Sequence, residues 1–514
     1  MRITKVKIKN FRSFGSLVEI DISSLTAFVG KNDIGKSTVL EALDIFFNDS
    51  KGVIKLDKDD INKKSLTAGD NEITISVCFD ELPSSIIIDS TNETKLNAEY
   101  LLNSNGQLEI VKKYPNAKAI ANVYIKAYHP TNSNCHDLLL KKNIELQRII
   151  KDQSIICSDN TKNAVMRSAI WGHYSTCLEL AEIELDITKG DATKSIWEQL
   201  KNYLPLYSLF QSDRKNSDGD NEIQDPLKEA VKQILSDPNL KMRFTEIAAE
   251  VEKKLKEVSN RTLEKLKEMN PEVANSLNPI IPTAESLKWT DVFKNVSIAG
   301  DDDIPINKRG SGVKRLILLN FFRAEAERRK TIENVPSVVY AIEEPETSQH
   351  TDHQRKLISA FLTLAATDNT QVIITTHSPI LVKELDFENL RLIKSTNKGK
   401  TIQTILPHTL PYPSLNEVNY LAFSETTEEY HNELYGFIVF EGKIEDYKIG
   451  KDQIDYIKVE NNCRKKTMRI SKTEKIRHQI HHPENKENIK YTDTELAESI
   501  NAMRTFISAA ATTV

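Results

Sequence analysis

Nine consecutive residues constrain this chain more than anything else in it. Gly30-Lys-Asn-Asp-Ile-Gly35-Lys36-Ser37-Thr38 matches G-x-x-x-x-G-K-[ST] in full. A short apolar run, Leu25-Thr-Ala-Phe-Val29, leads straight into it, and a helical pattern, Val39, Leu40, Ala42, Leu43, Phe46 and Phe47, follows. The spacing has a physical reason. The glycines let the backbone wrap closely around phosphates with N–H groups pointing inward. The helix that starts at the loop adds a positive dipole end. Lys36 then reaches the β/γ-phosphates and the Ser37 hydroxyl holds Mg²⁺. Gly30, Asn32, Gly35, Lys36, Ser37 and Thr38 are therefore the candidate ATP-binding residues. Upstream, Val6 and Ile8 alternate with Lys5, Lys7 and Lys9, and Leu17 to Ile22 alternates again, as half-buried strands do.

A second apolar run, Pro336-Ser-Val-Val-Tyr-Ala-Ile342, ends in Glu343-Glu344-Pro345-Glu346. Carboxylates at the C-terminal edge of a buried strand supply the other half of such a site. Glu343 is expected to hold the Mg²⁺ water shell. Glu344 is expected to polarise the attacking water as general base. A third run, Gln371 to Thr376, ends in His377, which at a strand edge can touch a γ-phosphate or serve a structural role. Upstream of the acidic run, Gly310-Ser311-Gly312 precedes an apolar helix pattern and offers N–H groups and a hydroxyl to a phosphate. Taken alone, that turn is also an ordinary helix start.

In this order the pieces resemble the ABC-class ATPase heads of the SMC, Rad50, RecF and OLD families. The opening Asn10-Phe11-Arg12-Ser13-Phe14 is similar to the entry of that group, which implies a place near the nucleotide for Arg12. The stretch from Glu343 to His350 is similar to the OLD-type variant. The signature departs from Ser-Gly-Gly, and the metal-holding acid is glutamate rather than aspartate. The resemblance implies ATP and Mg²⁺ as ligands. It also implies head-to-head dimers or higher homo-oligomers, with Ser311 of one chain facing nucleotide on Lys36 of the other.

Composition bounds the rest. At roughly 150 residues per domain, 514 residues make about three domains or one with large insertions. The net charge of −5 provides no global positive field, so any basic surface is local. The five cysteines contain no CxxC pair, against a zinc ribbon or disulfide framework. No apolar run approaches the ~20 residues of a membrane span, and the N-terminus has no secretory apolar core. A cytoplasmic, reduced protein without membrane partners is expected.

The segment between the halves holds Phe244, Ile247, Ala248, Val251, Leu255 and Val258 at helical spacing, read as an antiparallel pair or short coiled coil, or equally as a plain amphipathic helix on the head. Leu204 to Phe210 reads as a strand. Beyond residue 405 a basic segment carries Arg464, Lys465, Lys466, Arg469, Lys472, Lys475 and Arg477 against Glu474 alone. Arg477-x4-His482 follows and resembles the R-x4-6-H motif of HEPN ribonucleases. A histidine can move the 2′-hydroxyl proton and an arginine can stabilise the phosphorane, so RNA would be the substrate. Two other readings stand beside it: a degenerate domain kept for dimerisation, and zinc ligation by His478 and His482. Phe437 to Lys443 has a superficial likeness to the start of a Toprim nuclease, without the Asp-x-Asp that would complete it.

The expected fold is α/β: an ABC-type P-loop head (1–110 and 286–405) split by a helical insertion (111–285), with a small all-α HEPN-like domain (406–514). The expected function is an ATPase of a prokaryotic anti-phage system of Septu or Gabija type, controlling a ribonuclease built on Arg477 and His482. The alternative is a sensor or scaffold ATPase controlling a separate HNH or Toprim nuclease or toxin. A RecF-like or Rad50-like DNA-repair ATPase is the third class.

Overall fold

The computed structural model describes residues 1–30, 34–49, 52–89, 92–188, 191–211, 234–235, 237–269, 322, 337–347, 349–396, 399–405, 409–460 and 464–511. Strands β1 (Arg2–Lys9), β2 (Val18–Asp21), β3 (Leu25–Val29), β4 (Glu72–Asp80), β5 (Ile86–Asp89), β6 (Asn92–Thr94), β7 (Leu108–Pro115), β8 (Asn122–Pro130), β9 (Leu180–Asp186) and β10 (Leu206–Phe210) precede the long helix Pro238–Met269. After it come β11 (Val338–Glu343), β12 (Thr370–Thr376), β13 (Leu390–Thr396), β14 (Gly399–Thr404), β15 (Gln453–Glu460) and β16 (Arg464–Ser471).

Two six-stranded sheets make an α/β head. One is antiparallel, in the order β2-β1-β4-β7-β8-β9. The other runs β10-β11-β12-β3-β13-β14 and is parallel from β10 to β13. Its central strands β3, β11 and β12 are buried almost throughout, which is why their sequences are near-continuous apolar runs rather than alternations. The helix Lys36–Phe47 lies between the sheets. Its Val39, Leu40, Leu43 and Phe46 share one core with Ile3, Val6 and Ile75 of the antiparallel sheet and Phe28, Ala341 and Ile373 of the parallel one. On the other face of the parallel sheet, Leu357, Phe361 and Leu364 of the helix Thr351–Ala365 pack against Val29, Tyr340 and Ile374. Parallel strands present their C-terminal ends at one edge. The phosphate loop, the Glu343-Glu344 pair, His377 and Gln211 all leave the sheet there.

Two expected boundaries are corrected. The segment 111–285 is not a helical insertion from its start: β7 straddles residue 111, β8 and β9 extend the antiparallel sheet, and β10 joins the parallel one. The alternation of Val123, Ile125, Ala127 and His129, all buried, is the strand period that carries β8. The head therefore continues to Phe210. The long helix then presents Ile247, Val251, Leu255 and Val258 exposed and Ala248 buried.

Residues 406–514 are not all-α. Helices Leu415–Phe423, Glu428–Phe440, Lys472–His481 and Asp493–Ala511 surround a core of Tyr430, Leu434, Ile476, Ile500 and Met503. The first part of the basic run, however, is β16, paired antiparallel with β15. The helix starts only at Lys472, where Ser471 and Glu474 form a capping box. Phe437 to Phe440 end a helix, so the Toprim-like strand is absent.

Candidate nucleotide site

Gly35 has φ +101°, a conformation that favours glycine, and a Cβ there would lie 2.8 Å from Ser13 Oγ. That turn starts the helix Lys36–Phe47, whose N-terminus has no side-chain cap and no acid in its first turn. Its leading N–H groups remain available to an anion. Lys36 is 5% exposed, and its Nζ donates to the Gly30 carbonyl at 2.9 Å, spanning the loop. Thr38 is buried behind it.

The two halves of the sequence meet at Ser37, whose hydroxyl donates to Glu343 Oε1. A hydroxyl and a carboxylate converging at the phosphate loop form an oxygen donor set that fits a hard divalent cation such as Mg²⁺. Glu344, the next residue, has φ +40°, unusual for a side-chain-bearing residue. Its N–H donates to both the carbonyl and the Oγ1 of Thr375, each at 3.1 Å, which ties the turn to the neighbouring strand. His377 Nδ1 lies 3.4 Å from Glu344 Oε1 and 3.3 Å from Glu346 Oε1.

Glu346 was not among the expected site residues. It is 4% exposed, and its Oε1 accepts from Thr376 Oγ1 at 2.7 Å and from the His377 N–H at 2.8 Å. It fixes the backbone that carries His377. The sequence signal was its place two residues after Glu344 on the same strand-end turn. Gln211 was also missed. It follows β10 at the same sheet edge, and its Nε2 donates to Glu41 Oε1 at 3.4 Å. Glu41 in turn pairs with Arg12, whose Nε donates to Asp60 Oδ1 at 2.7 Å. Arg12 thus borders the phosphate-loop helix through Glu41. Lys400, on β14, donates to the Ile34 carbonyl at 2.5 Å and brings a second lysine to the loop. Asn32, Gly310, Ser311 and Gly312 lie outside the described residues.

The Arg477 guanidinium sits 4.2 Å over the Tyr435 ring. His482 is the C-cap of its helix, and its Nδ1 lies 3.0 Å from Glu484 Oε1. Each side chain is engaged by a different neighbour. The Arg477 charge bears on His478 and on His431, which is fully buried, with Nε2 3.0 Å from Ser499 Oγ. Burial, aided by the Arg477 charge, pushes the His431 pKa down to about 4. No group of three or more metal-ligating side chains occurs among the described residues, so His478 and His482 gain no third zinc ligand there. No described helix is long and apolar enough to cross a membrane.

Residues 1–382 match the family described as AAA_15, AAA ATPase domain. The chain is 24% identical over 445 residues to the Retron Ec83 probable ATPase of Escherichia coli, covering 78% of this chain and 73% of that one. It is 22% identical over 412 residues to the OLD nuclease of Thermus scotoductus, covering 78% of this chain but only 63% of the nuclease. Among solved structures, a Pyrococcus furiosus Smc head domain bound to the C-terminal domain of ScpA aligns with 82% of this chain and 98% of its own, at 13% identity and a TM-score of 0.35.

Proposed function

The chain belongs to the AAA ATPase domain family, and from that premise we propose that it hydrolyses ATP to control an effector carried by a separate subunit. The observation behind the hydrolysis is the convergence of Ser37, Glu343, Glu344 and His377 at one sheet edge. Lys36 and the uncapped helix N-terminus would bind the phosphates. Ser37 and Glu343 would hold Mg²⁺, which when bound neutralises charge developing on the phosphate oxygens. Glu344, held by Thr375, would take the proton of the attacking water. His377, fixed by Glu346, would face the terminal phosphate.

The link to an effector starts beside His377. Ser378 caps the short helix Pro379–Lys383, and Lys383 pairs at 3.0 Å with Glu433, a nearly buried residue of the C-terminal unit. A rearrangement at His377 would be felt in that unit through this contact. Similarity to a retron ATPase and the sequence resemblance both support a role in anti-phage defence, in the cytoplasm, with paired heads completing the site. The separate engagement of Arg477 and His482 favours a partner effector over an intrinsic ribonuclease.

The test is purification of the full chain with its co-eluting partners, followed by ATPase and toxicity assays. Lys36→Ala should abolish both, and His482→Ala should leave both intact. Loss of toxicity in His482→Ala with ATP hydrolysis retained would restore the ribonuclease reading.

A further inference from the structure

The β15–β16 ribbon carries a charge arrangement that its own folding does not call for. By register, Lys458 stands opposite Lys466, and Glu460 opposite Arg464. With a side-chain period of two, Lys458, Arg464 and Lys466 share one face of the outer half of the ribbon with the Glu460 position, three cations to one acid. All three are exposed, and none forms an ion pair among the described residues. Like charges directly opposite one another destabilise a strand pair. An exposed two-stranded ribbon has little core to offset that cost.

The same face is anchored at its base. Tyr456 is 2% exposed and stacks on the His478 ring, centroids 5.3 Å apart, while Ile470 is buried beside it. The middle of β15 is held from outside. Asn488 Oδ1 accepts from the Ile457 N–H at 2.9 Å, and Asn485 and Asn488 both donate to the Ile457 carbonyl at 2.9 Å. Those contacts occupy the backbone groups that an added strand would need. The ribbon is therefore a fixed projection with its middle edge closed and a cationic face open. The chain as a whole has a net charge of −5, so this face is a local feature.

We propose that this face binds duplex DNA, with Lys458, Arg464 and Lys466 set against backbone phosphates. A two-stranded ribbon fits the major groove of B-form DNA, about 12 Å wide. The major groove of an RNA duplex is too deep and narrow to admit it. Single strands are held largely by stacking on aromatic rings, and the described outer residues, Lys458, Val459 and Arg464 to Thr467, include none. Lysines that merely guard an edge against aggregation would make no such contact.

The experiment is fluorescence anisotropy of labelled duplex DNA, duplex RNA and single-stranded DNA with the full chain over a range of salt. The triple variant Lys458→Gln/Arg464→Gln/Lys466→Gln should lower the magnitude of the negative slope of log affinity against log salt by about 2.7, three contacts at ~0.9 each. Arg464→Gln alone, the least disturbing change, should lower it by ~0.9. Lys458→Arg/Lys466→Arg should retain binding, and basal ATP hydrolysis should be unchanged in every variant. Equal affinity and slope in the glutamine variants would overturn the proposal. So would RNA duplex bound as tightly as DNA, or binding to anionic vesicles with none to DNA at low salt.

Discussion

The Ser37 hydroxyl donates to the Glu343 carboxylate across 306 positions of sequence. The strand carrying Glu343 is separated from the strand before the phosphate loop only by β12, the strand that ends at His377. A loop and a strand end that are remote in the chain therefore share one small volume, with the histidine between them.

Loss of either partner should raise the Mg²⁺ requirement. In Ser37→Ala or Glu343→Gln, the Mg²⁺ concentration giving half-maximal ATP hydrolysis should increase at least tenfold, read from a metal titration at saturating ATP. The double variant should be no worse than the poorer single, because both changes disable one donor set.

Glu344→Gln should keep nucleotide binding and lose turnover by about 10²–10⁴-fold, the range for removal of a positioned general base. Single-turnover hydrolysis and nucleotide-analogue binding, measured on the same preparation, separate the two effects. If heads pair around ATP, this variant should also hold the paired state longest in size-exclusion runs with ATP.

Gly35→Ala should abolish ATP binding. The residue sits at φ +101°, and the added Cβ would meet Ser13 Oγ at 2.8 Å, so the loop must shift. The strain of a left-handed alanine is about 1–2 kcal/mol, small enough for the protein to remain folded. Nucleotide binding should fail while the circular dichroism spectrum is retained.

The C-terminal unit should lose stability in acid. His431 has an ordinary pKa of 6.5 when unfolded and about 4 when folded. Between those values the unfolded chain binds a proton at this site and the folded chain does not, so unfolding free energy rises with pH. The contribution is complete above pH 6.5 and is lost as pH falls toward 4, by about 3 kcal/mol at most. Melting curves from pH 7.5 to 4.5 should show this slope, and His431→Gln should flatten it.

Lys383→Ala should leave basal hydrolysis within about twofold and weaken the response of the C-terminal unit to ATP. Glu433 is nearly buried and keeps Ser414 and Asn416 as donors, so losing its cation should also lower the stability of the C-terminal unit. Hydrogen exchange in the helix Glu428–Phe440, with and without ATP, reads the coupling directly.

Local spacing made much of the nucleotide site legible. Gly30 to Thr38, the run into Glu343 and the run into His377 are each contiguous, and each carries its own strand or helix signal. The alternation in β8 is equally local, but it falls within the stretch expected to be an insertion, because nothing nearby indicates which sheet a strand will join. Glu346 and Gln211 escaped because their roles come from neighbours, Thr376 and His377 for one and Glu41 for the other. Arg477 and His482 had the right spacing for a site, yet Tyr435 and Glu484 engage them separately.

What the chain alone determined is the chemistry of its phosphate loop and strand ends, since glycine freedom, strand period and helix start are properties of a few adjacent residues. Only the tertiary structure decided that Ser37 meets Glu343, that the head continues through Phe210, and that the basic run begins as a ribbon. Those outcomes depend on which strands pair and what they bury, a free energy summed over residues far apart in sequence.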